Sequence, residues 1–156
     1  MNDTIDIRIQ SNPKMMRLVR KTIAQASEMV GFSERDVHAV TLAVDEGCTN
    51  IIRHCYRGSK VGDIVIRIRM YEDRIEIALR DFGEAIDVGK LRDCVEKRRQ
   101  ELETAGPVRP GGLGVMLIHS VMDKVQYKSS PTAGTVLRLV KYLSVEREKK
   151  IASKST

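Results

Sequence analysis

The sequence contains no tryptophan, and aromatic residues make up only 4% of its 156 residues. Aromatic rings are the platforms on which single-stranded nucleic acids stack, so their scarcity argues against a nucleic-acid-binding surface despite a formal net charge of +6. The basic residues are also spread along the chain and interleaved with acidic ones. We therefore expect acidic protein or phosphate partners and no direct nucleic-acid partner.

The chain also lacks a long apolar run and an N-terminal signal pattern, so we expect no membrane association and a cytoplasmic location. It has only three cysteines, Cys48, Cys55 and Cys94, which cannot all pair. The first two lie on an apolar helix stripe, where small buried thiols are common. The three histidines show no spacing typical of a transition-metal site.

The length and the 42% hydrophobic content suit one domain, which we place at residues 1–143. Residues 144–156 form a polar, basic tail with few apolar residues, which predicts disorder. Period-two alternation predicts strands at 5–9, 64–70, 75–81, 124–129 and 135–142, whereas helical spacing and capping signals predict helices at 13–30, 33–55, 87–102 and 115–122.

The helix predicted at 33–55 carries two unlike faces. Its apolar stripe is typical of a helix that covers a sheet. Glu46 and Asn50 lie on the other side, one turn apart, among the small or apolar residues Ala39, Leu42 and Ala43. This face either lines a ligand cleft or is a solvated back face that contains a Glu and an Asn.

Two further segments allow either a ligand site or an ordinary structural role. The strand at 75–81 continues so that Asp81 points inward, where a carboxylate needs hydrogen-bond donors, and Gly83 permits a close backbone approach. Asp81 could equally begin a turn. Residues 104–114 form a glycine- and proline-rich loop that feeds a helix N-terminus, which favours either anion binding or a mobile loop without a ligand.

Taken in order, the three signals resemble the ATP-binding superfamily of gyrase B, the heat-shock chaperone ATPase, sensor histidine kinases and MutL. The chain resembles the bacterial anti-sigma-factor serine kinases most, over about residues 5–143. The motifs that carry this resemblance are Asp45-Glu46-x-x-x-Asn50-x-x-x-His54, Asp81-x-Gly83 and Gly111-Gly112-Leu113-Gly114-Val115-x-Leu117-Ile118.

The resemblance implies a role for the first two motifs. Asn50 would bind the Mg²⁺ that bridges the ATP phosphates, and Glu46 would act as general base toward the attacking hydroxyl. Asp81 would accept a hydrogen bond from the adenine amino group, with Gly83 allowing the base to come close. The chain departs from the family pattern at Ala85, which stands where a second glycine is usual.

The remaining assignments concern the phosphates and the adenine. Gly112, Leu113 and Gly114 would wrap the phosphates as part of a lid. Thr135 matches a family threonine near the adenine. Arg109 is assigned to the γ-phosphate from its charge and its position alone.

The resemblance further implies an α/β two-layer sandwich: a mixed, mostly antiparallel sheet covered on one face by helices. The implied function is an ATP-dependent protein serine kinase that phosphorylates an anti-sigma-factor antagonist and sequesters a sigma factor, usually as a homodimer. One alternative is an ATP-binding switch protein that transfers no phosphate. A histidine-kinase catalytic module is a weaker alternative, because the phospho-acceptor helices are absent from the sequence.

Overall fold

The fold is built around an antiparallel sheet in a computed structural model that describes residues 2–83, 96, 100, 113–130 and 132–155. Most of the helix predicted at 87–102 and most of the glycine-rich segment lie outside these residues. The strands are β1 (Asp3–Gln10), β2 (Asp63–Met70), β3 (Arg74–Asp81), β4 (Lys124–Ser130) and β5 (Gly134–Tyr142). Their spatial order is β1-β2-β3-β5-β4.

The two faces of the sheet differ because apolar and polar residues alternate along each strand. Ile66 pairs with Leu79 and Ile68 with Ile77 across β2 and β3, and all four side chains are buried. A shift of one residue would turn this apolar set to solvent, so the alternation fixes the register. One face of the sheet therefore forms the core, and the other is polar.

Four α-helices accompany the sheet in the described part of the chain. They are α1 (Met16–Val30), α2 (Glu34–Asn50), α3 (Leu113–Val121) and α4 (Ser144–Lys154). A 3₁₀ turn (Pro13–Met15) precedes α1, and a π-helical turn (Ile51–Cys55) follows α2. The α1 and α2 helices pack on the apolar face of the sheet, and α3 packs against α2.

The ends of α1 and α2 follow the signals in the sequence. Gly31 ends α1 in the left-handed region at φ 104°, a conformation that costs glycine little. Ser33 begins α2 by accepting a hydrogen bond from the backbone N–H of Asp36. An ion pair between Arg20 and Asp45, 2.8 Å long, joins the two helices.

Gly47 sets the distance between α2 and the sheet. A Cβ atom at this position would lie 2.6 Å from Cδ1 of Leu79 and 3.2 Å from Cδ2 of Leu137. Carbon atoms do not approach this closely without displacement, so a larger residue at 47 would have to shift two buried leucine side chains. This contact places the C-terminal half of α2 directly over β3 and β5.

The C-terminal segment differs from the predicted disordered tail, since Ser144–Lys154 is helical. The backbone N–H of Leu143 donates to Asp73 at 2.9 Å, which anchors the chain just before α4. Arg147 lies 3.0 Å from Asp123, and the Lys150 ammonium lies 3.3 Å from the centre of the Tyr142 ring. Polar and cation–π contacts thus support a helix that has little apolar surface.

The predicted two-layer architecture is confirmed, with one refinement: every strand pair in the described residues is antiparallel, where a mixed sheet was predicted. Within the same ranges, no helix is both long and apolar enough to cross a lipid bilayer.

Candidate functional site

The C-terminal half of α2 presents the first pair of candidate residues. Glu46 and Asn50 are four residues apart, which places them on the same side of the helix. Their neighbour Asp45 points toward α1 and is held by Arg20, with N–O distance 2.8 Å. No ion pair holds the Glu46 carboxylate within the described residues. The two acidic residues therefore differ in their surroundings: Asp45 ties α2 to α1, whereas Glu46 has no such ion pair among the described residues.

The first turn of α3 meets this pair at Gly114. A Cβ atom on Gly114 would lie 2.4 Å from Oε2 of Glu46 and 3.7 Å from Nδ2 of Asn50. The absence of a side chain at 114 thus leaves room for both polar groups. Two of the three motifs found in the sequence therefore lie side by side in the structure.

A π-helical turn follows Asn50 directly, which the sequence did not predict. The backbone N–H of Tyr56 donates to the carbonyl of Ile51, five residues earlier, at 3.1 Å. The carbonyl oxygen of Cys55 then lies only 2.6 Å from where a Cβ atom of Gly83 would be. Single π-turns inside helices occur frequently at functional sites. Here the turn brings the end of α2 against the end of β3.

Asp81, at the end of β3, is the main buried carboxylate of this region. It is 1% exposed, as the inward parity predicted. Burial raises the pKa of this carboxyl group, whereas the backbone N–H of Gly83, 3.1 Å from Oδ1, and the Cys55 thiol lower it. No cation pairs with Asp81 within the described residues. A carboxylate can accept about four hydrogen bonds, so the two donors present leave acceptor capacity for a ligand.

Thr135 and Ser129 extend this polar region across the sheet. Asp81 pairs with Thr135 on β5, and Thr135 pairs with Ser129 on β4, so the three side chains form one row on the helix-covered face. The hydroxyl oxygens of Ser129 and Thr135 are 2.8 Å apart. Thr135 was predicted from the sequence, but Ser129 was not, because the pairing of Ser129 with Thr135 is evident only from the order of the strands.

Gly134 brings β5 against the end of β3. Its φ of 75° lies in the left-handed region, and a Cβ atom there would overlap the carbonyl oxygen of Asp81 at 1.9 Å. No other residue fits without moving the backbone that carries Asp81. Gly134 therefore fixes the relative positions of Asp81 and Thr135.

Tyr56 is a second residue that sequence reasoning missed. Its hydroxyl donates to the carbonyl of Asp63 at 2.5 Å and accepts from the backbone N–H of Phe82 at 2.8 Å. The side chain thus joins the start of β2 to the residue that follows Asp81. No spacing or motif in the sequence indicated this link, which depends on the path of the chain after the π-turn.

The remaining predicted site residues are placed only in part. Arg109 and Gly112 lie outside the described residues, and Leu113 is known only as the first residue of α3. No group of three or more His, Cys, Asp or Glu side chains suitable for a metal ion occurs in the part of the chain that is described. The amide oxygen of Asn50 is a hard ligand that fits Mg²⁺, provided that phosphates and water supply the other ligands. The space beside Gly114 is in keeping with that arrangement.

Comparison with known proteins assigns most of the chain to one domain family. Residues 9–141 match the histidine kinase-like ATPase domain family. A serine-protein kinase RsbW from Oceanobacillus iheyensis is 31% identical over 144 residues, covering 92% of this chain and 89% of the relative. The serine-protein kinase RsbW of Bacillus velezensis is 29% identical over 151 residues, covering 93% and 89% respectively.

A solved structure supports the fold alone. The crystal structure of the RsbU and RsbW domains of a Mycobacterium tuberculosis protein matches with a TM-score of 0.60 at 15% identity. The match covers 89% of this chain and 32% of that one.

The fold and the family match define an ATPase domain of the histidine-kinase-like type. More narrowly, the chain belongs to the RsbW family of bacterial serine-protein kinases, as its motifs predicted. This membership confirms the prediction of an ATP-using protein serine kinase.

Proposed function

We propose that this protein transfers the γ-phosphoryl group of Mg·ATP to a serine of an anti-sigma-factor antagonist, using Glu46 as general base and Asn50 as metal ligand. The observation that carries the proposal is the meeting of Glu46, Asn50 and Gly114. A general base, a hard oxygen ligand and an open space at a helix N-terminus are the parts that phosphoryl transfer requires.

Glu46 is assigned to proton transfer. The serine oxygen forms a bond to the γ-phosphorus, the bond from that phosphorus to the ADP oxygen breaks, and the hydroxyl proton passes to the Glu46 carboxylate. A positioned base contributes about 10²–10⁴-fold to such a step. Asp45 does not compete for this role, because Arg20 holds it on the side of α1.

Asn50 is assigned to Mg²⁺, which neutralises charge that develops on the phosphate oxygens. The side-chain amide lies one turn from Glu46, so the metal ligand and the base face the same space. Gly114 adjoins both, and we extend the phosphate-binding segment to Gly112, Leu113 and Arg109 on sequence grounds alone.

The row of Asp81 and Thr135 is assigned to the adenine base. Asp81 has acceptor capacity that is not used within the described residues, and the exocyclic amino group of adenine is a donor of matching kind. Gly83 lies against the Cys55 carbonyl, where any side chain would collide, so this glycine fixes the backbone that follows Asp81. Guanine carries a carbonyl oxygen in place of that amino group, so Asp81 would discriminate against it.

The partners follow from family membership. We infer that the protein sequesters a sigma factor, is opposed by the antagonist that it phosphorylates, and acts as a homodimer in the cytoplasm. The names of its relatives, serine-protein kinase RsbW, support the kinase part of this inference. A switch protein that binds ATP without phosphoryl transfer is the alternative, and the placement of Glu46 beside Asn50 argues against it.

The test is to incubate the purified protein with γ-labelled ATP, Mg²⁺ and antagonist proteins encoded near its gene. We expect label on a serine of one antagonist and none when Mg²⁺ is chelated. Tight ATP and sigma-factor binding without labelling of any antagonist would favour the non-catalytic switch instead.

A further inference from the structure

The polar face of the sheet, opposite to the proposed nucleotide site, holds a shallow cavity of about 380 Å³. Its charged lining consists of Arg67, Arg69, Arg80, Lys124, Arg138 and Glu76. Five cations against one carboxylate give +4, a large share of the net charge of +6 for the whole chain. The solvent-facing side of an antiparallel sheet is polar, but it does not need an excess of positive over negative charge.

Few of these cations are neutralised. Arg67 forms two hydrogen bonds with the carboxylate of Asp6, at 2.7 and 2.8 Å. The single acidic residue of the cavity, Glu76, is held by Arg74 at 2.8 Å rather than by a cation of the cavity. Among the residues that the structure describes, no carboxylate forms an ion pair with Arg69 or Arg138. The face therefore carries more positive than negative charge, although Asp6 neutralises Arg67 and also lies near enough to Arg69 to interact with it electrostatically.

The floor between the cations is apolar. Val65, Ala78, Val136 and Val140 are half-buried on this face. Protein interfaces commonly combine an apolar centre with arginines, whereas charged residues alone are typical of a merely solvated surface. The apolar floor points to a protein partner and away from a nucleic acid, which would bind through its phosphates.

The strand register gives the groove a width. Ala78 pairs with Arg67 on one side and with Arg138 on the other, so the two arginines stand two strands apart across a small residue. Two strand spacings are about 9.6 Å. An α-helix with its side chains is about 10–12 Å across. A helix that lies over Ala78 is therefore slightly wider than this spacing, so its two flanks lie above the strands that carry Arg67 and Arg138, within reach of those side chains.

We propose that this face, which we term the arginine groove (Arg67, Arg69, Ala78, Val136 and Arg138), docks an acidic amphipathic helix of a partner protein. The apolar stripe of that helix packs on Ala78 and Val136, and its carboxylates pair with the arginines on either side. Electrostatic attraction of this kind raises the association rate and selects acidic partners. A second copy of this chain is a poorer occupant, because two grooves of net positive charge would repel each other.

The test uses a synthetic 18-residue helical peptide with leucines at i and i+4 and glutamates on both flanks, and a matched peptide with lysines in place of glutamates. Binding is measured by fluorescence anisotropy at low and moderate salt. We expect the acidic peptide to bind and the lysine peptide not to bind. The affinity for the acidic peptide should fall as the salt concentration rises.

The decisive variant is Arg69→Glu with Arg138→Glu. Its control is Arg17→Glu with Lys21→Glu, which changes the net charge equally at exposed positions of α1. The groove variant should bind the peptide at least about tenfold more weakly, because attraction becomes repulsion at two positions, and the control should bind nearly as well as the wild type. Nucleotide affinity, measured separately, reports whether the groove variant remains folded and is independent of this proposal.

Methyl NMR of the wild-type protein locates the peptide-binding surface directly, so the result does not depend on whether a variant folds. The acidic peptide should shift the methyl signals of Ala78 and Val136. Equal loss of binding in the groove variant and its control, or shifts confined to other methyl groups, would overturn the proposal. If the wild type is a dimer and the groove variant is a monomer, the occupant is a second copy, and the proposal is wrong. Tighter binding of duplex DNA than of the acidic peptide would also overturn it.

Discussion

Replacing Gly114 by alanine should separate catalysis from stability, because it adds one methyl group at the point where α2 and α3 meet. The new Cβ atom would lie 2.4 Å from Oε2 of Glu46. Ordinary van der Waals contact begins near 3.4 Å, so the carboxylate must move by 1.0 Å (3.4 − 2.4). The clash is with the far end of a flexible side chain, so the fold can accept it.

The size of the effect follows from that displacement. A misplacement of about 1 Å costs on the order of 10²-fold in rate, which corresponds to about 2.7 kcal/mol of transition-state free energy. Alanine also has a helix propensity up to about 1 kcal/mol better than that of glycine. The variant should therefore be as stable as the wild type, or slightly more stable, while phosphoryl transfer is about a hundred times slower.

The assay is single-turnover transfer of labelled phosphate, with thermal unfolding measured on the same preparation. Gly31→Ala is the control, because nothing lies within 4 Å of its Cβ position and its φ of 104° makes alanine strained. That variant should lose stability and keep its rate per folded molecule. A Gly114→Ala enzyme with an unchanged rate would show that Glu46 is not positioned through this contact.

Three further results are expected. Asn50→Ala should abolish most Mg²⁺-dependent ATP affinity in calorimetry with little change in the melting temperature, since the amide is exposed to the site rather than packed in the core. Asp81→Asn should lose about 1–3 kcal/mol of ATP binding, because a donor then faces the adenine amino group. Ser129→Ala should cost about 0.5–1.5 kcal/mol of stability and weaken ATP binding several-fold, since the buried Thr135 hydroxyl loses its partner. Ser120→Ala, at an exposed position of α3, should do neither.

A pH dependence follows from the raised pKa of Asp81. Burial favours the protonated acid, so the pKa of Asp81 is higher in the folded protein than in the unfolded chain. The contribution of Asp81 to stability therefore declines as pH rises from the unfolded-state pKa through the folded-state pKa. Adenine binding has the opposite dependence, because it needs the carboxylate: ATP affinity should fall as pH drops through the raised pKa. An Asp81→Asn variant should show neither dependence, as calorimetry and thermal unfolding across pH 4–7 would reveal.

The sequence predicted the parts of the fold that depend on local periodicity. The alternation of Ile64, Ile66 and Ile68 fixed one strand and its inward face, and the same parity placed Asp81 inside the protein. Ser33 and Gly31 marked helix ends because capping depends on only a few neighbouring residues.

Features that depend on distant contacts were not predictable. The hydroxyl pair of Ser129 with Thr135 and the link from Tyr56 to Phe82 depend on which segments adjoin in space. The π-turn after Asn50 is local, but no residue pattern in the sequence indicated it. The terminal helix was missed for a similar reason. Its support comes from Asp123, in the turn before β4, and from Tyr142 of β5, rather than from its own apolar content.

The central claim is that Glu46 is the base of a phosphoryl transfer that Asn50 supports through the metal. Its most direct test is Glu46→Gln, which keeps the size and the hydrogen bonding of the side chain but removes its capacity to accept the proton. Single-turnover transfer to the antagonist and Mg·ATP affinity are measured together. We predict that transfer falls by about 10²–10⁴-fold while affinity hardly changes. A Glu46→Gln protein that phosphorylates the antagonist at the wild-type rate would contradict the claim.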